Sequence, residues 1–71
     1  MAQFNSRTVR VMRAALDGAM KKVPSKYATI ATKVYLAECI LKAAAKGETS
    51  YGGFVETATN QIQEAIKLLF T

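Results

Sequence analysis

The sequence has no histidine and no tryptophan, and a single cysteine and a single proline among its 71 residues. Each shortage excludes something. Without histidine, the commonest general acid–base group and the commonest metal ligand are missing. With Cys39 alone, no intrachain disulfide can form, and a reducing cytoplasm is the expected setting. Acid is also scarce. Asp17, Glu38, Glu48, Glu56 and Glu64 are scattered, whereas paired-carboxylate chemistry needs two of them facing across a cleft. No zinc, calcium or nucleotide motif occurs, so no metal and no cofactor are expected, and the chain reads as a protein that is not an enzyme.

Long apolar runs are missing too. Nothing approaches the roughly 18 consecutive apolar residues of a membrane span, and "YLAECIL" is interrupted by Glu38. The opening "MAQFNSR" lacks the basic-then-apolar layout of a secretory signal. Residues 1–23 are basic and poor in acid, as transit peptides are, but the rest of the chain is too short to fold without them. They are read as part of one domain, 1–71, in a cytoplasmic protein with no membrane partner.

What is present suits a small globular domain. Apolar residues make up 51% and charged residues 21%, too apolar a balance for a disordered tail. A chain this short buries only about 60% of the surface its unfolded form exposes, so its stability margin is thin. Association with a second copy, a homodimer, would add burial.

The periodicity predicts three helices, roughly 6–23, 26–46 and 51–70, folded as an all-α three-helix bundle. Asn5 is the N-cap of the first, with Phe4 and Val9 placed as a hydrophobic staple. Val9, Met12, Leu16, Ala19, Met20 and Val23 form its apolar stripe. Pro24 ends it. Gly18, near Ala14, Ala15 and Ala19, is placed to allow a close helix approach. In the second helix Ser25 is the expected cap. Tyr27, Ile30, Val34, Ala37, Leu41, Ala44 and Ala45 gather on one side, which Ile40 and Leu36 widen. Gly47 is the expected stop. The third helix follows "GETSYGG" with Ser50 or Thr49 as cap, and buries Phe54, Val55, Ala58, Ile62, Ala65, Ile66 and Leu69. No run alternates with period two, so no strand is expected.

The charge is unevenly placed. Residues 1–33 hold seven cations against one anion; residues 34–71 hold three against four. All of the net charge of +5 therefore lies in the first half. Within "RTVRVMRAALDGAMKK", residues Arg10, Arg13, Asp17 and Lys21 share one exposed strip, with Arg7 and Lys22 towards the far side. Asp17 is spaced to pair with Arg13 or Lys21. A solvated face needs nothing more. A phosphate-binding face would add Lys26 and Lys33, with binding that weakens steeply in salt. The candidate nucleic-acid or partner contacts are thus Arg7, Arg10, Arg13, Lys21, Lys22, Lys26 and Lys33.

Three other features have both a functional and a plain reading. Free amides at the start of the third helix could hold an anion, but a C-stop followed by an N-cap explains "GETSYGG" equally. The amides of "TATNQIQ" could read adenine, but Thr57, Thr59, Asn60, Gln61 and Gln63 also suit an outer polar face. Cys39 projects away from the apolar stripe of the second helix and has no histidine partner, so it reads as a partly exposed or interface thiol. Membrane-surface docking by the first helix would need an apolar stripe that the core already uses.

At "ALDGAMKKVP" and "ILKAAAKGE" the chain resembles a group of short uncharacterised bacterial all-helical proteins of unknown function. In these a basic first helix ends near Pro24, and a second ends in a run like Ile40, Leu41, Ala43, Ala44, Gly47 and Glu48. The resemblance implies an all-helical fold and a bacterial cytoplasmic setting, and carries over no functional residue. Ser50-Tyr51-Gly52-Gly53 stands where that group tends to start its third helix with Asp-Pro. The leading functional expectation is a small non-catalytic protein-interaction module whose partner is another protein or itself. The alternative is weak nucleic-acid binding through the seven cations.

Overall fold

The computed structural model describes residues 5–71. In chain order it contains α1 (Ser6–Met20), a 3₁₀ turn (Ser25–Tyr27), α2 (Ile30–Ala45), α3 (Tyr51–Asn60) and α4 (Ile62–Phe70). No strand occurs among the described residues. Because α3 and α4 are two halves of one bent helix, the architecture is the expected all-α three-helix bundle.

α1 begins as its sequence demands. Asn5 Oδ1 accepts the Thr8 amide at 2.8 Å, satisfying one of the free donors of the first turn. Phe4, the other half of the expected staple, lies outside the described residues. α1 stops at Met20 rather than at 23. The amides of Lys22 and Val23 donate three residues back, to Ala19 and Met20, so the last turn is tightened before Pro24. Val23 nevertheless stays buried.

The main correction lies at the start of the second helix, which does not run from 26 with Ser25 as cap. Residues Ser25–Tyr27 make a single 3₁₀ turn, with the Tyr27 amide on the Pro24 carbonyl at 2.8 Å. Ala28 then takes φ −83° and ψ 62°, an inverse γ-turn in which the Thr29 amide donates to the Tyr27 carbonyl at 2.9 Å. The cap of α2 is Thr29, whose Oγ1 accepts the Thr32 amide at 3.2 Å. Thr32 is fully buried, and its hydroxyl donates to the same Tyr27 carbonyl at 2.6 Å. The connection is therefore tied to the first turn of α2.

This tie sets which side of α2 faces inward. Thr32, Leu36 and Ile40 are buried, flanked by Tyr35, Ala43 and Ala44. The stripe expected from the sequence is turned partly into solvent: Ile30 is 82% exposed, Val34 52% and Leu41 46%. α2 ends as expected. Gly47 takes φ 109°, its amide donates to Ala44 and that of Glu48 to Ala43, the paired bonds of a Schellman stop.

α3 packs on both α1 and α2, whereas α4 packs mainly on α2. The break falls at Gln61, whose amide donates to the Ala58 carbonyl at 3.0 Å before the helix resumes. Phe54, Ala58, Ile62 and Ala65 are buried as expected; Val55 and Ile66 are partly so, and Leu69 is exposed. These meet Met12, Ala15, Ala19 and Val23 from α1 and the turn after it. Gly18 does permit a close approach: a Cβ there would lie 2.6 Å from the Tyr51 phenol oxygen.

Replacing Thr32 with valine keeps the shape of the side chain and removes only its hydroxyl. Thr32→Val is expected to lower stability by about 1 kcal/mol or more, because a buried hydrogen bond is lost with no water to replace it. Urea denaturation reads this directly. An unchanged midpoint would mean that the bond to Tyr27 does not hold the start of α2 in place.

Candidate functional site

α1 and α2 form a hairpin, and the outer edge of their contact is an apolar seam. Ile30, Val34, Ala37 and Leu41 fall on one line along α2, about 16 Å long at 1.5 Å per residue. Beside it a groove of about 210 Å³ is lined by Val9, Met12, Arg13 and Leu16 of α1 and by Ala37, Ile40 and Leu41 of α2. Its walls are almost wholly apolar, with Arg13 at the rim. One turn further towards the closed end of the hairpin, Lys33 Nζ lies 4.0 Å from Asp17 Oδ1. Asp17 thus bridges to α2 and not, as its spacing allowed, to Arg13 or Lys21. Both partners are more than half exposed, so the pair contributes little to stability.

The seven cations singled out in the sequence are all exposed. The fold does not gather them at one point. Arg7 on α1 and Lys21 at its C-cap are fourteen residues apart, about 20 Å along the helix axis. Arg10 and Arg13 lie between them, and Lys22 follows the helix end. Lys26 sits over the Tyr27 ring with Nζ 5.1 Å from its centre, and Lys33 is engaged by Asp17. The polar face expected from "TATNQIQ" is broken up. Thr57 and Gln61 line a groove against α2, and the Thr59 hydroxyl is buried. Asn60 and Gln63 remain exposed.

That second groove, about 450 Å³, runs between α2 and α3 and is lined by Tyr35, Glu38, Cys39, Lys42, Lys46 and Thr57 among others. Cys39 is half-buried there, on the flank of the true core of α2. Burial pushes its thiol above the ordinary range; Lys42 opposes this and Glu38 adds to it. The group is therefore a protonated thiol at neutral pH and a slow nucleophile. Burial also raises the Tyr35 phenol, with smaller contributions from Cys39 and Glu64.

At the start of α3, a candidate anion site in the sequence, the chain itself takes the amides of Thr49, Ser50 and Gly53. Glu48 Oε2 accepts the Thr49 amide, the Ser50 amide and the Ser50 hydroxyl, each at 3.0 Å. Ser50 Oγ in turn accepts the Gly53 amide at 3.0 Å and is the cap. A Cβ on Gly53 would collide with the Glu48 carboxylate, so this glycine makes room for the charge.

These bonds, the Ser50 amide first, then its hydroxyl and the Thr49 amide, hold the Glu48 carboxyl below the usual glutamate range. A carboxyl depressed in the folded state stabilises it above the unfolded value, and that contribution is lost as pH falls through the folded value. Glu48→Ala is therefore expected to melt below the wild type at neutral pH, the gap narrowing as pH falls below the glutamate range. A gap of constant size across thermal melts at descending pH would contradict it.

No helix among the described residues is long and apolar enough to cross a membrane. No protein-family model, curated protein or solved structure matches this chain.

Proposed function

We propose that this protein is a small non-catalytic interaction module and that the α1–α2 seam is the surface it offers to another protein. The observation that supports this is the line of branched aliphatic side chains left in water along α2, from Ile30 at 82% exposure to Leu41. Single exposed aliphatics are ordinary, but a contiguous line continued by a groove on the adjacent helix is the kind of patch that binding surfaces present. Covering such a side chain fully stabilises by roughly 1.5–3 kcal/mol, a large gain for a domain with so little interior. The stripe carries no charge, while Arg13 and Glu38 lie to either side of it, matching the apolar centre and polar rim of protein interfaces. In this reading the setting is the bacterial cytoplasm implied by the resemblance and by the lone cysteine.

A photoreactive residue at position 34, compared with one at the exposed position 63 on α4, tests the reading in the cells that express the protein. Adducts to protein are expected from position 34 and not from 63; none from 34 would refute it. Nucleic-acid binding is the competing outcome. Salt-sensitive binding of duplex DNA or RNA, abolished by Arg10→Glu with Arg13→Glu, would favour the cations over the seam.

A further inference from the structure

The seam has a property that docking faces need not have: it reads the same in both directions. Ile30, Val34, Ala37 and Leu41 are separated by four, three and four residues. Two such stripes laid antiparallel therefore meet residue for residue, Ile30 against Leu41 and Val34 against Ala37, each contact occurring twice. The larger side chains close the ends, and the valine–alanine pairs let the two helices approach at the centre. Spacings of four and three are also those that let side chains of one helix seat between those of another. A surface that is complementary to itself about a two-fold axis gives a closed pair rather than an open chain.

We infer that the occupant of this seam is a second copy of the chain, with α2 antiparallel to α2 and the two α1–α2 hairpins stacked into a four-helix core. The inference rests on the seam being a protein-binding surface, and names the partner. Pairing would cover the three large members of the stripe on each copy, Ile30, Val34 and Leu41, which are 82%, 52% and 46% exposed in the single chain. The half-exposed walls of the groove, Val9 and Leu16 on α1, flank the stripe and would be covered with it. None of the four stripe positions brings a charge to the axis.

Sedimentation equilibrium of the full chain at tens of micromolar is expected to give the mass of two chains. Val34→Glu is expected to return it to one, with the helical circular dichroism retained. In a Cys39→Ser background, an Ile30→Cys chain mixed with a Leu41→Cys chain is expected to form the mixed disulfide. Antiparallel packing leaves the two copies of position 30 about 16 Å apart and unable to join. The disulfide pattern decides even if Val34→Glu unfolds, since each chain then keeps most of its stripe. A wild-type mass of one chain up to several hundred micromolar, or Ile30→Cys joined only to itself, overturns the inference. The photoreactive residue at position 34 separates the two levels of the reading. Adducts only to a different protein overturn the second copy and leave the interaction module standing, whereas no adduct removes both.

Discussion

The bond from the Thr32 hydroxyl to the Tyr27 carbonyl sets the phase of α2, and most of the surface depends on it. The Tyr27 carbonyl accepts from two donors, the Thr29 amide and the Thr32 hydroxyl, so the turn and the first helical residues form one unit. With Thr32 drawn inward, Leu36 and Ile40 point inward one and two turns on, and Ala43 follows them. Ile30, Val34 and Leu41 then stand about a third to nearly half a turn away from that direction. A buried hydroxyl is tolerated because its partners, the Tyr27 carbonyl and the Thr29 hydroxyl at 3.3 Å, are local and close. The same local bonds that start the helix thus decide which aliphatics remain outside.

Much of the fold was legible in the sequence, and the reasons are local. Asn5, Ser50 and Gly47 act where they stand, because a cap or a left-handed stop needs only its neighbours. The stripe on the third helix was legible because one side of it is apolar and the other is not. α2 is harder because its apolar arc spans more than half a turn, so periodicity alone does not separate the centre of the arc from its edge. Thr32, Leu36, Ile40 and Ala43 carry the necessary spacing, but a threonine in that line disguises it. The start of α2 misleads for a related reason. Ser25 follows proline and looks like a cap, whereas the pair Thr29 and Thr32 makes the bonds. The seam itself was not legible, since its residues are the ones that periodicity assigns to the core.

Packing explains why large aliphatics are left over. Four of the ten buried apolar residues are alanines, at 15, 19, 58 and 65, and Gly18 admits the Tyr51 phenol against α1. Small residues at the contacts bring the helices together, and a close approach leaves little volume between them. Phe54, Leu36 and Ile40 fill most of what remains. There is then no interior room for Ile30, Val34 and Leu41, even though α2 is central in the chain. An additional helix on that side would complete their burial, and the chain has none to spare among its described residues.

The other surface features are already balanced within one chain. The Thr49 and Ser50 amides just before α3 are met by Glu48, and Gly53 keeps the space that this carboxylate needs. Asp17 turns to Lys33, Lys26 lies against an aromatic ring, and burial keeps Cys39 in its less reactive form. Exposed cations lose nothing by staying hydrated, so the basic first half of the chain does not by itself call for a partner. Exposed aliphatics in a continuous line do lose by it, because each stays in contact with water that a covering surface would release. Of the two unusual surfaces on this bundle, the apolar one is therefore the one with free energy to gain from association.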